Sequence, residues 1–261
     1  MLRVTSFRVG SCRVRGFAAG LPDRGDVVLP ALVTLVETAD AAILFDCGYG
    51  DAFFRATQSF PARAYRWATP VSLPAEERLT RQLPRQPDVV VLSHMHGDHV
   101  AGLPEIAVGT PVLASNEAIT HLRGLRSEVS ATLAACPMAL REAVLSRAPQ
   151  PVEGGALVKT GLPEFPDGHD VTGTGDAIAI PLPGHGVGQI GLWLPAANTF
   201  LIADAAYARS ALRSGRLPPA PILARLGNAG RYRETFGRLQ ALMRARPDIV
   251  VVPSHCREAA P

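Results

Sequence analysis

Short apolar runs separated by polar turns recur along the whole chain, and they follow two periods. Residues 27–38 (VVLPALVTLVET) and 41–46 (AAILFD) are dense in β-branched and aliphatic side chains and flank a polar turn at Ala39-Asp40, which predicts adjacent strands within a strand-rich first fifty residues. Residues 89–92 (VVVL), 110–115 (TPVLAS), 177–182 (AIAIPL), 189–195 (QIGLWLP), 199–202 (TFLI) and 248–252 (DIVVV) have the same character and predict further strands. Helical spacing appears in residues 231–246, where Tyr232, Phe236, Leu239 and Met243 fall on one stripe ahead of Pro247. It appears again in residues 117–148, which are rich in Leu, Ala and Arg and broken at Pro137, with Asn116 at the N-cap position. That segment is too long for a plain connection and predicts a helical insertion over residues 117–150, placed to cover a site. Residues 74–79 (PAEERL) have Pro in the first turn with acids behind it and predict a helix leading into the strand at 89–92.

The chemistry sits at the strand ends. The run at 89–92 passes through Ser93 into His94-Met95-His96-Gly97-Asp98-His99, three imidazoles and a carboxylate within six positions. In an extended segment His94 and His96 face the same side, where they can grip one ion, and Gly97 permits a turn that sends Asp98 and His99 towards a second. The pattern recurs: 177–182 runs into His185, 199–202 into Asp204, and 248–252 into His255. Sheets place ligands beyond strand ends, so four such termini can converge on one crevice.

Composition narrows the class. The 261 residues are 47% hydrophobic and 19% charged, which is globular and enough to bury a sizeable core. A net charge of +3, carried by scattered arginines, forms no nucleic-acid stripe. No apolar run reaches membrane-span length, and the N-terminal stretch MLRVTSFRVGSCRVRG holds no continuous apolar segment of the secretory kind. The isolated Cys12, Cys47, Cys136 and Cys256 fit reduced thiols, and Cys256 beside His255 reads as a buried thiol. A cytoplasmic enzyme is the expectation.

Other polar residues carry less. Asp46, at the end of 41–46, is read equally well as a turn residue or as a carboxylate orienting a ligating histidine. His121 lacks ligand spacing. His169-Asp170 follows Pro166-Asp167-Gly168 and reads as turn chemistry.

The His94-Met95-His96-Gly97-Asp98-His99 motif, followed in order by His185, Asp204 and His255, resembles the metallo-β-lactamase-fold hydrolase superfamily over nearly the whole chain. The resemblance implies an α/β (α+β) fold, a four-layer αββα sandwich forming a single domain over residues 1–261 from two similar halves. It implies that His94, His96 and His185 hold a first metal, that Asp98, His99 and His255 hold a second, and that Asp204 bridges the two. Asp46 matches the family's early aspartate, which favours its orienting role. Two divalent ions are thereby implied; zinc suits five imidazoles and two carboxylates, with iron, manganese or cobalt compatible.

Within the superfamily the pattern resembles the N-acyl homoserine lactonase-like branch, since Tyr207 stands three residues after the bridge. The chain departs from that branch at Gly97, where an aromatic residue is usual, and at Ser254-His255-Cys256. The implied activity is a dinuclear hydrolase in which a metal-bridging hydroxide attacks an ester-like carbonyl, a lactone first, with thioester (glyoxalase II-like) and phosphotriester hydrolysis and a non-catalytic metal-bound sensor as alternatives. Asp98, Asp204 and Tyr207 are the implied catalytic residues, Tyr207 as donor to the lactone carbonyl or, equally, as packing. Ser93, Ser254 and Cys256 are expected bystanders. A small-molecule substrate is the implied partner, without nucleic acid or membrane, and the relatives' habit of dimerising makes a homodimer the implied assembly.

Overall fold

In the computed structural model, which describes residues 2–259, β1 (Arg3–Arg15) and β2 (Asp26–Glu37) form a long antiparallel ribbon with Arg3 opposite Glu37 and Arg15 opposite Asp26. The ribbon widens into a seven-stranded sheet through β3 (Ala42–Phe45), β4 (Val71–Ser72), β5 (Val89–Val91), β6 (Val112–Ala114) and β7 (Gln150–Pro151), in the order β4-β1-β2-β3-β5-β6-β7. From β3 to β7 the pairing is parallel, so successive strands leave the sheet at the same edge. A second, six-stranded sheet contains β8 (Leu157–Leu162), β9 (Phe165–Asp170), β10 (Ile178–Pro181), β11 (Ile190–Leu194), β12 (Thr199–Ala203) and β13 (Val250–Pro253). Its order is β13-β12-β11-β10-β9-β8, antiparallel except for the parallel β12–β13 pair.

The central strands β3, β11 and β12 are apolar on both faces because each sheet is covered on both faces there. Along β12, Phe200 and Ile202 point into one core while Leu201 and Ala203 point into another; along β3, Ala42 and Leu44 part from Ile43 and Phe45 in the same way. The Ile43, Phe45, Val91, Ile190, Leu192 and Leu201 side chains fill the layer between the sheets. A one-residue slip of β11 would exchange Trp193 with Leu192 across the sheet, so packing fixes the register.

Helices cover the outer faces, which completes the αββα sandwich. On the first sheet lie α1 (Asp51–Ala56), α2 (Arg63–Ala68), the short α3 (Leu79–Gln82) and α4 (Gly97–Val100), then α5 (Asn116–Gly124), α6 (Glu128–Leu133) and α7 (Met138–Leu145). Phe53, Val100, Leu122 and Leu140 bury their side chains in that layer. On the second sheet, α8 (Arg209–Ser214) and α9 (Ala220–Leu226) lead to α10 (Ala229–Ala245), whose Tyr232, Phe236 and Leu239 pack on Trp193 and Phe200 as the stripe predicts; the fourth fully buried position is Leu242, with Met243 only partly buried beside it.

Local expectations needed three corrections. The cap of α5 is Ser115, whose hydroxyl accepts from Ala118 N at 3.1 Å; Asn116 is the first helical residue, and its N–H donates to Glu153. The 74–79 segment is a single 3-10 turn followed by four helical residues, because Arg78 is extended and Glu77 turns away to take Arg8 of β1. His169 lies in β9 rather than in a turn, with Nδ1 3.2 Å from Gly155 O; Asp170 alone does turn chemistry, accepting from Thr172 N and Gly175 N. The 117–150 segment is helical as expected, with breaks after Gly124 and at Pro137. Among the described residues no helix is long and apolar enough to cross a membrane.

Candidate metal centre

Strand ends β3, β5, β10, β12 and β13 deliver Asp46, His94/His96, His185, Asp204 and His255 to one edge of the sandwich. All seven predicted ligands are buried, and they separate into two groups: His94, His96 and His185, and Asp98, His99, Asp204 and His255. Within each group, one donor atom per residue lies within 4.8 Å of the others, as a shared cation requires.

Backbone geometry aims these side chains. Ala203 carries φ +48° at a register shift between β12 and β13, and this bulge turns Asp204 out of the strand alternation. Asp46, also at positive φ (64°), is held by its own hydrogen bonds in a conformation that costs an L-residue roughly 1–2 kcal/mol. At Gly186, φ is +57° and a Cβ would stand 2.9 Å from His94 Cδ2, so only glycine lets the His185 loop close over His94. Gly97 has a different task from the expected turn. It opens α4, and a Cβ there would meet Phe53 at 3.1 Å and Leu140 at 3.3 Å, so it is small in order to pack.

Asp204 stands between the groups. Its Oδ2 is 3.2 Å from His185 Nε2 and 3.1 Å from His255 Nε2, and its Oδ1 is 3.4 Å from His99 Nε2. Asp98 Oδ2 is 3.2 Å from His255 Nε2, and His96 Nδ1 is 3.1 Å from His185 Nε2. Behind the donors, Asp46 Oδ2 takes His99 Nδ1 at 2.8 Å, and the Pro30 carbonyl takes His255 Nδ1 at 2.7 Å. Each contact fixes the tautomer that leaves Nε2 as a lone pair facing inward. Asp46 therefore orients a histidine, as the second of its two sequence readings has it.

Ser93 is more than a bystander. Its N–H and Oγ each donate to Asp46 at 2.8 Å, and Oγ lies 3.0 Å from His94 Nδ1, so it couples the two groups from behind. Neither Ser93 nor the Pro30 carbonyl was legible as a support, since no spacing rule marks a hydroxyl beside a motif or a main-chain oxygen. Among the described residues the Ser254 and Cys256 side chains make no hydrogen bond to the donors, and Cys256 is buried as expected. Tyr207 stacks on His255 with ring centroids 5.4 Å apart, its hydroxyl 3.4 Å from His185 Nδ1. His121 is half-buried on α5 and outside both groups.

The electrostatics differ between the groups. Burial depresses His96 to about 3 and His185 to about 4, and it depresses His94 further with help from the neighbouring His99 and His96. Burial acts on His99 and His255 too, but the carboxylates of Asp46, Asp98 and Asp204 outweigh it around His99, and Asp204 and Asp98 do so around His255, so both are raised. Burial opposes ionisation of Asp98 and Asp204, yet the imidazoles hold Asp98 at about 2 and Asp204 well below the usual range.

His94 Nε2, His99 Nε2 and Asp204 Oδ1 are buried without a hydrogen-bond partner among the described residues. An unsatisfied buried polar atom costs about 1–3 kcal/mol, and three converging on one place are better explained as donors for a cation than as packing faults. The donor set fits divalent metal.

The profile of the metallo-beta-lactamase superfamily matches residues 26–255, spanning every one of these donors. The chain belongs to that superfamily. It is thus a member of a family of metal-dependent hydrolases, with the family's αββα fold and a His/Asp metal-binding cluster at the sheet edge. No curated protein sequence matches it. Among solved structures, it is similar to an N-acyl homoserine lactone hydrolase with the product N-hexanoyl-L-homoserine at its catalytic metal centre (TM-score 0.69, 16% identity, covering 98% of this chain and 93% of that one). It is similar also to AidC, a dizinc quorum-quenching lactonase (TM-score 0.60, 15% identity, 99% and 89% covered). A third is a probable metal-dependent hydrolase from Staphylococcus aureus (TM-score 0.68, 13% identity, 98% and 89% covered). At these identities the likeness establishes the shared fold of this superfamily member.

Proposed function

We propose that this superfamily member is a dinuclear hydrolase of small ester-like carbonyl compounds, lactones first among them. The observation that carries the reading is Asp204, one carboxylate within 3.4 Å of imidazole nitrogens from both donor groups. His94, His96 and His185 would hold one ion, Asp98, His99 and His255 the other, and Asp204 both; zinc suits the set, with iron, manganese or cobalt compatible. Two such ions supply Lewis acidity, which ionises water near neutral pH and polarises a carbonyl.

The chain supplies the rest. Asp46, Ser93 and the Pro30 carbonyl hold the imidazoles in one orientation, so no reorganisation is needed as charge develops. Burial and the carboxylate of Asp204 raise the Tyr207 phenol well above its usual value, which keeps it a donor at neutral pH. Its hydroxyl is placed to donate to the substrate carbonyl oxygen as that oxygen gains charge. Asp98 is more open to solvent than Asp204, so its carboxylate is the one placed to accept a proton and pass it to the departing oxygen, while Asp204 stays a fixed anion. The lactonase structures that share the fold favour the lactone over other esters.

Elemental analysis of protein purified without added metal, run beside a panel of acyl homoserine lactones, aliphatic lactones, S-lactoylglutathione, an aryl ester and paraoxon, tests this. The expected result is about two metals per chain and lactone opening that chelation abolishes. Turnover of the thioester or paraoxon alone would move the substrate. One metal or none, without turnover, would overturn the reading and leave a binding protein.

A further inference from the structure

Two cavities open beside the donor cluster. One, about 410 Å³, runs over the cluster between Val14, Phe17, Leu29 and Ile222 and includes Tyr207 in its wall. The other, about 520 Å³, lies under the helical insertion, lined by Met95, Val129 and Leu133. They share six residues, Tyr65, Ala68, Thr69, His96, Ala135 and Leu226. A metal-donor histidine, His96, is therefore common to both, while Asp98, His185, Asp204 and His255 line the first, so the second cavity reaches the cluster at its His96 edge.

The walls state what would fill them. Outside the donor cluster neither cavity is lined by a carboxylate. Each has one arginine, and both arginines are engaged: Arg225 donates to Leu133 O at 2.6 Å, and Arg15 pairs with Asp26 at 3.2 Å. Arg15 is neutralised by its carboxylate, and Arg225, though still charged, is turned to a main-chain carbonyl, so the remaining lining of both arms is predominantly apolar. The rims are unusually apolar for a surface. Phe17, Val129 and Leu133 are each more than half exposed, and all three line these two cavities. Large exposed apolar side chains gathered at a cavity mouth mark a surface completed by an apolar ligand.

We infer that the two cavities are the two arms of one substrate groove, and that the substrate is an uncharged ester or lactone carrying an apolar group on each side of its scissile bond, one on the acyl carbon and one on the alkoxide carbon. This rests on the hydrolase reading and names its substrate class. A lactone substituted only beside the carbonyl would fill one arm and leave the other as exposed apolar wall.

The test uses γ-butyrolactone and its α-hexyl and γ-hexyl derivatives, with Ala18→Trp to fill the first cavity and Val129→Trp to fill the second. Both positions are at least partly exposed, so neither substitution displaces core. With the metal-loaded protein, each hexyl lactone is expected to exceed the parent in kcat/KM by tenfold or more. Each tryptophan should abolish the gain of one hexyl lactone over the parent and leave the gain of the other. Calorimetric binding of the same lactones to metal-free protein, which cannot turn them over, should show the same one-to-one loss. If both hexyl groups lose their gain through the same tryptophan, or only one hexyl lactone gains, one arm is used and the inference fails while the hydrolase stands. If binding shows the one-to-one pattern but no lactone is hydrolysed, the groove stands and the hydrolase reading fails.

Discussion

The two donor groups are built from the same side chain and tuned in opposite directions. His94, His96 and His185 are buried mostly among other imidazoles, and burial keeps them neutral. His99 and His255 are buried among Asp46, Asp98 and Asp204, and hold protons above neutrality when no cation is there. On the dinuclear reading the first group, kept neutral by burial, is ready to bind, while the second would have to exchange protons for an ion. Compensation of charge, rather than the identity of the ligand, sets that difference. It predicts that the first group loads before the second as pH rises.

The largest effect should come from the residue that belongs to both groups. Asp204→Asn removes the anion within reach of each, and should lower kcat/KM by about 10³-fold or more, the several kcal/mol expected when Lewis-acid positioning is lost. Elemental analysis should show the second ion missing and the first weakened. Full double loading of the variant would show that the groups do not share Asp204.

Asp46→Asn separates them. Asparagine tolerates the positive φ of this position, so the backbone stays as it is. Loss of the carboxylate that orients His99 should weaken the second ion about 10–100-fold, with a smaller change at the first. Competitive chelation titration measures both. Equal losses at the two ions would place Asp46 behind the whole centre rather than behind one half.

The stability of the metal-free protein should turn on the same contrast. Between pH 6.5 and about 4 the unfolded chain protonates three histidines that the folded chain keeps neutral, so stability falls as pH falls. Above 6.5 the folded chain retains protons on His99 and His255 that the unfolded chain has lost, so their contribution fades as pH rises through their raised values. Metal-free Tm should therefore peak near pH 6.5, and added zinc should raise Tm more at pH 8 than at pH 6. A Tm that climbs steadily from pH 5 to 9 would contradict the raised pair. Smallest of all, Ser93→Ala removes the hydroxyl that reaches both Asp46 and His94, at a cost of about 1 kcal/mol in Tm-derived stability and a modest fall in affinity at both ions.

How much of this was legible follows from distance along the chain. The ligands announce themselves because each stands just past a strand, and strand ends are local features. The bulge at Ala203 and the packing role of Gly97 were not legible, since each depends on a neighbour folded against it, whereas the Ser115 cap is local and was missed because the adjacent Asn116 is an equally good cap by residue type. The supports of the site are farther still: Asp46 reaches His99 across 53 residues and Pro30 reaches His255 across 225. The six residues common to the two cavities come from four separate stretches, Tyr65 to Thr69, His96, Ala135 and Leu226, and no period in the sequence joins them.

The long tie between Pro30 and His255 also bears on how the protein matures. The first donor group is complete once the chain has been made through His185, but the second waits for β13, the strand that sits beside β12 and carries His255. The second group therefore cannot close until the last strand has docked beside β12, whereas the first needs only the first sheet and the β10 end of the second.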